Sequence, residues 1–218
     1  PEQQKKEILK LLASSKAQMK LDLFVLSQLG FKKNGYFVEF GATDGVQLSN
    51  SYLLERSFGW KGILAEPAKY WQAELKQNRN SYIETDCVWK KSGVSLMFEE
   101  TTTPELSAIT TFVQDSFMSV HRTQKQTYSV NTISLVDLLN KYKAPQIIDY
   151  LSIDTEGSEY EILNSFDFSE YQFKIITCEH NYTSNRDKIY ALLSKHGYER
   201  RFSGFSKCDD WYIKQELF

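Results

Sequence analysis

The chain has 218 residues, 41% of them hydrophobic and 25% charged, with a formal net charge of −2. That length fits one α/β domain with a sizeable core, and so balanced a charge offers no basic face for wrapping nucleic acid. No apolar run approaches the length of a bilayer span, and no signal peptide is visible.

The first residue is Pro1 rather than Met. The sequence therefore reads as a piece whose natural N-terminus could carry targeting information or a further domain. Ile8, Leu11, Leu12, Met19, Leu23 and Leu26 recur at helical spacing, and Gly30 supplies a stop. The apolar run 36–40 predicts a strand, followed by a tight turn spaced E-x-G-x-x-x-G through Glu39, Gly41 and Gly45. A helix is expected from Ser49 or Asn50 onward. Gly59 to Gly62 form a turn before a short strand, 63–65, that ends at Glu66; Pro67 then opens a helix through Tyr70, Trp71 and Leu75. Residues 81–84 read as a third strand, and 94–98 as a weaker one.

Residues 99–130 lack clear periodicity, and so long a loop predicts a substrate lid. Thr132 caps a helix through Leu135, Leu138 and Leu139. A fourth strand, 147–153, ends in Asp154-Thr155-Glu156-Gly157, and a helix over Tyr160, Ile162 and Leu163 follows. A fifth, 173–178, ends in Glu179-His180-Asn181. One more helix holds Ile189, Leu192 and Leu193, and residues 198–202 and 210–214 read as a closing hairpin. Strands alternating with helices predict a doubly wound, mostly parallel sheet with its site along one edge. Cys87, Cys178 and Cys208 lie too far apart in sequence for a zinc motif or a disulfide framework, which points to reduced thiols and a cytoplasmic setting.

The polar groups at the strand ends suggest a ligand. Gly41 and Gly45 let the backbone approach it closely, and the start of the next helix suits an anionic group. Glu39 and Asp44 would repel a pyrophosphate but attract an ammonium or sulfonium, so a methionine-type zwitterion satisfies both demands. Glu66, some twenty residues on, is placed to accept both hydroxyls of a ribose. Asp86, with Cys87 and Val88, is a candidate for an adenine amine and ring.

In this order, VEFGATDG at 38–45, SNSYLLE at 49–55, GILAEP at 62–67, ISLVDLL at 133–139, IDTEGSEYEIL at 153–163 and ITCEHN at 176–181 resemble the FkbM-type S-adenosylmethionine-dependent O-methyltransferases. The resemblance implies a Rossmann-like methyltransferase fold: a seven-stranded sheet with an antiparallel C-terminal hairpin. It divides the chain into an N-terminal helical extension, 1–30, and a methyltransferase domain, 31–218. It also implies methyl transfer to a hydroxyl, often on a sugar or a polyketide-type molecule. The donor-binding set is then Glu39, Gly41, Ala42, Asp44, Gly45, Asn50, Ser51, Glu66, Asp86, Cys87 and Asp154.

For proton removal two arrangements stand open. In one, Asp154 or His180 acts as base among its carboxylate neighbours, Glu156 included. In the other, Asp154, Glu179 and Asn181 hold a divalent cation, for which such oxygen ligands suit Mg²⁺. The partner expected is a glycan or small-molecule acceptor, with the chain open to being one module of a larger enzyme. A nicotinamide-dependent oxidoreductase is the rival reading, although G-x-G-x-x-G is missing; an inactive methyltransferase-like binding module is the third.

Overall fold

Two sheets organise the computed structural model, which describes residues 2–112 and 123–218. In chain order the strands are β1 (Tyr36–Phe40), β2 (Lys61–Ala65), β3 (Tyr82–Glu84), β4 (Cys87–Trp89), β5 (Ser95–Thr101), β6 (Ala108–Ile109), β7 (Gln124–Ser134), β8 (Ile147–Ile153), β9 (Gln172–Glu179), β10 (Glu199–Arg201) and β11 (Asp209–Ile213). The helices are α1 (Glu2–Leu11), α2 (Leu21–Gln28), α3 (Tyr52–Phe58), α4 (Gln72–Asn78), α5 (Leu135–Lys141), α6 (Glu159–Asn164) and α7 (Asn185–Lys195).

The larger sheet has the order β3-β2-β1-β8-β9-β11-β10. Its β1, β2, β3, β8 and β9 pair in parallel, while β11 runs antiparallel to both β9 and β10. The sheet is thus mixed, with β11 the reversed strand. The expected hairpin is present, and its second arm folds back into the gap beside β9. Strands β1, β8 and β9 are near-continuously buried because helices cover both faces, the usual setting of parallel strands. On one face α5, α6 and α7 pack on Val38, Phe40, Leu151 and Ile176. On the other, α2, α3 and α4 pack on Phe37, Leu64, Tyr150 and Ile175. No helix among the described residues is long and apolar enough to cross a membrane.

Four local expectations are corrected. In place of the long irregular loop expected over residues 99–130, the described residues 99–101, 108–109 and 124–130 belong to a second sheet of order β4-β7-β5-β6. Tyr128, Val130 and Thr132 turn inward along β7 while Ser129 and Asn131 face out, a period-two pattern that Glu100 obscures on the partner strand by facing inward. Within this segment His121 and Arg122 lie outside the described residues. Thr132 is part of β7, its Oγ1 donating to the Lys91 carbonyl, and Ser134 caps α5 by accepting from the Asp137 amide. The helix after Pro67 begins at Gln72. The N-terminal helix breaks at a 3₁₀ turn, Gln18–Lys20, where Met19 and Lys20 have φ of 53° and 59°.

Candidate active site

The carboxyl ends of β1, β2, β8 and β9 meet the second sheet around a cleft of about 410 Å³. Size and setting are those of a cofactor or substrate site at the edge of a doubly wound sheet. Of the residues singled out from sequence, Glu39, Gly41, Asn50, Glu66, Cys87, Asp154, Glu156, Glu179 and Asn181 line it. Ala42, Asp44, Gly45, Ser51, Asp86 and His180 are not among the lining residues.

Local packing explains the division. Gly41 has φ +72°, and a Cβ there would sit 2.1 Å from the Asp154 carbonyl oxygen, so glycine lets β1 and β8 end side by side. Ala42 is fully buried in the core. The Asp44 carboxylate accepts from the Val46 and Gln47 amides, which folds its own loop instead of facing a ligand. Gly45 makes room for Arg79, whose Cγ would lie 2.6 Å from an added Cβ. Glu84 holds the amide of Asp86.

Glu39 orders the loop after β1. Its Oε1 accepts from the Asn50 amide at 2.7 Å, and its Oε2 from the Ser49 and Ser51 hydroxyls. The Asn50 amide near the start of α3, expected to help hold a ligand anion, is therefore taken by a side chain. Arg79, which the sequence reading missed, locks this arrangement from behind. It donates to the Gly45 carbonyl and to Ser49 and Ser51, and pairs with Glu55 at 3.1 Å. Asn50 Nδ2 donates to Ser152 at 3.0 Å, leaving Oδ1 buried without a partner.

Glu66 stands at the end of β2, accepting from the Thr43 and Ala68 amides at 2.9 and 2.8 Å. Burial pushes its carboxyl up to about 7. The second sheet contributes Cys87, Val88, Phe98 and Ile109, and with Leu106 of the turn between β5 and β6 they make an apolar wall of the cleft.

At the opposite wall Asp154, Glu156 and Glu179 each bring a carboxylate oxygen within 4.8 Å of the others. Burial, then the Glu156 charge, pushes Asp154 well above the usual carboxylate range; burial, then Asp154, does the same for Glu179. Glu159 folds the preceding loop by accepting from the Thr155 and Gly157 amides. Glu156, Asn181 and Tyr182 have φ of 59°, 43° and 57°, unusual values of the kind that gather at functional sites. Asn181 donates its Nδ2 to Glu179 at 2.7 Å, so it stands beside the trio of Asp154, Glu156 and Glu179.

His180 is the main departure. Its side chain is 1% exposed, its Nδ1 accepts from the Tyr182 amide, and its Nε2 lies 3.8 Å from Asp210. Burial lowers its pKa, so the imidazole is neutral near pH 7. Asp210 is held in turn by Arg186 and Arg200. The ring thus supports the Asn181-Tyr182 turn, and His180 lines a second cavity together with Glu156 and Glu179.

A second cavity of about 370 Å³ adjoins the first, sharing Glu156, Glu179 and Asn181 with it. Phe112, Thr183, Ser184 and Asn185 are among its other walls. Beyond the shared wall, only Gly157, Glu159 and His180 of this second cavity lie in the sequence motifs.

Among solved structures, the chain is similar to a precorrin-6y C5,15-methyltransferase from Geobacter metallireducens: 12% identity over 83% of this chain and 72% of that one, TM-score 0.46. It is also similar to the N-terminal domain of human METTL16: 13% identity over 87% and 66%, TM-score 0.44. These likenesses are distant, and the fold assignment rests on the strand order itself. No curated protein matches the sequence significantly. The family profile described as the methyltransferase FkbM domain matches residues 39–200, from the acidic end of β1 to β10, and takes in the whole carboxylate wall. The chain belongs to the FkbM methyltransferase family.

Proposed function

We propose that this methyltransferase transfers a methyl group from S-adenosylmethionine to a hydroxyl of a small polyhydroxylated acceptor, a sugar of a glycan or glycoconjugate. The family implies the donor, and the cleft fits it. Glu66 is placed for ribose hydroxyls, the apolar wall around Val88 and Phe98 for an adenine, and Glu39 with the unpartnered Asn50 Oδ1 for an ammonium. When bound, the donor supplies an electrophilic methyl carbon on a sulfonium.

The observation that carries the acceptor reading is the wall shared by the two cavities. A hydroxyl entering from the second cavity meets Glu156 and Glu179, and these carboxylates with Asp154 take its proton. Burial makes Asp154 and Glu179 stronger bases than free carboxylates, as proton removal from an alcohol requires. Phe112 offers a flat apolar face and Thr183, Ser184 and Asn185 offer uncharged polar groups, a combination suited to a sugar. The same oxygen trio suits a divalent cation, and Mg²⁺ bound there would lower the pKa of the hydroxyl instead. Cys87 and Cys178 are buried free thiols, on which basis we place the reaction in the cytoplasm.

The test is calorimetry with S-adenosylhomocysteine and with NAD, followed by methylation of a sugar panel with and without chelator. Binding of the first ligand and transfer to a sugar support the reading. Binding of NAD alone would make the chain an oxidoreductase, and donor binding with no transfer to any sugar would overturn the acceptor assignment. Loss of activity with chelator alone selects the metal route.

Affinity for S-adenosylhomocysteine is expected to rise with pH. Ribose hydroxyls donate to an ionised Glu66, and the free protein holds a proton there below about 7. Between pH 6 and 8 the dissociation constant should tighten about tenfold, and Glu66→Gln should flatten the profile. In the ligand-free fold the sign reverses. The raised carboxyl contributes stability below its unfolded value of 4.5, and that contribution is lost as pH rises through about 7. A pH-independent dissociation constant in the wild type would remove Glu66 from the ribose site.

A further inference from the structure

We propose that the turn formed by residues 15–22 is part of the donor site, and that the Gln18 side-chain amide hydrogen-bonds the carboxylate at the amino-acid end of the methyl donor. The proposal rests on the reading that the cleft takes an S-adenosyl ligand. The turn lies before residue 39, where the family match begins.

The turn is pinned to the loop after β1. Ala17 bridges to Leu48, and the Gln18 amide donates to the Leu48 carbonyl at 3.3 Å. Its own shape is fixed by Ser15, which donates to Asp22 at 2.7 Å, and by Lys20 Nζ, which donates to the Ser15 carbonyl at 2.9 Å. Asp22 is fully buried with Oδ2 unpartnered, and Glu39 is among the charges that raise its pKa, which places the turn near the acidic end of β1. Met19, Lys20 and Leu48 all take left-handed φ, so two strained segments are held against each other at the cleft mouth.

Gln18 is half-buried there and lines the cleft. Its backbone is hydrogen-bonded to Leu48, which lines the cleft with Asn50 in the loop after β1, while Glu66 follows β2 and Phe98 and Ile109 come from the second sheet. An adenine and ribose at the latter positions bring the amino-acid group to Gln18. A carboxylate at that end needs donors, and few are free. Glu39 only accepts, the Asn50 backbone amide is taken by Glu39, and Asn50 Nδ2 gives one of its two hydrogens to Ser152. Gln18 keeps its side-chain amide uncommitted among the described residues. Lys207, exposed at the rim, is the competing donor.

Calorimetry on the full chain decides the matter with two probes, S-adenosylhomocysteine and 5′-methylthioadenosine, which lacks the amino-acid group. Gln18→Ala should weaken S-adenosylhomocysteine about tenfold, and Gln18→Glu more, since it sets like charges together. Both variants should hold 5′-methylthioadenosine within about twofold of wild type. Equal losses for both probes would mean the turn is merely structural, and the proposal fails. It fails too if Gln18→Ala changes nothing, or if Lys207→Ala alone carries the loss. A wild type that binds neither probe overturns the S-adenosyl reading itself, which is a different result.

Discussion

Replacing Arg79 by methionine is expected to cost the fold about 3–5 kcal/mol, the range found when one partner of a buried ion pair is removed. The Arg79 side chain is wholly buried, with Glu55 3.1 Å away and 7% exposed. It also donates to Gly45, Ser49 and Ser51, and the two serines donate onward to Glu39. Methionine would fill much of the volume beside Phe37 and Tyr52. It would leave Glu55 buried without its cation and the loop after β1 without its tether. In a chain of this size the loss corresponds to a drop in melting temperature of roughly 6–20 °C by circular dichroism. Arg79→Lys should recover part of it, because lysine restores the charge without the planar fork. Adding Glu55→Gln to Arg79→Met should also recover part, by removing the stranded charge. A melting temperature within about two degrees of wild type would show that this network holds nothing in place.

That network marks the boundary of what the sequence discloses. The strands β1, β2, β8 and β9 were legible because a parallel strand covered on both faces is a short apolar run, and because each ends in a polar cluster. Glu66, Asp154, Glu156 and Glu179 followed from the same rule: in this topology the residues just past those strands share one edge. Arg79 had no such signal. It is a lone basic residue just after α4, and its partners lie 24 to 34 positions earlier. Which charges end up buried together is settled by tertiary packing, to which spacing along the chain is blind.

The turn after β1 shows a different limit. Its position was read correctly, yet Asp44 and Gly45 face into the loop and Arg79. A motif fixes where the backbone bends and leaves open which side chains the bend exposes. His180 is similar. Two places beyond Cys178 on the fifth parallel strand, it was expected at the edge, and it does lie there, with its ring turned inward to the Tyr182 amide. The second sheet was overlooked for want of apolar contrast. Lys125 and Gln126 are exposed, and Glu100 faces inward to accept from Tyr128 and Gln126, so no clean alternation survives in the sequence.

Asp154→Asn should lower kcat by about 10²–10⁴ on whichever sugar the wild type methylates, while S-adenosylhomocysteine binds within a few fold of normal. Asparagine keeps the side-chain volume and leaves the backbone carbonyl beside Gly41 undisturbed, so the strand ends keep their approach. What it removes is a half-buried carboxylate whose basicity is raised by desolvation and by Glu156. The same substitution should stabilise the ligand-free protein at pH values above the ordinary carboxylate range. Ionising a group whose pKa is raised by folding costs stability, and the amide has nothing to ionise. Activity and melting temperature are therefore expected to move in opposite directions, which a merely structural role for Asp154 would not produce. Wild-type turnover in this variant, with Glu156→Gln inactive, would move the base to Glu156; wild-type turnover in both would take the proton path away from this wall altogether.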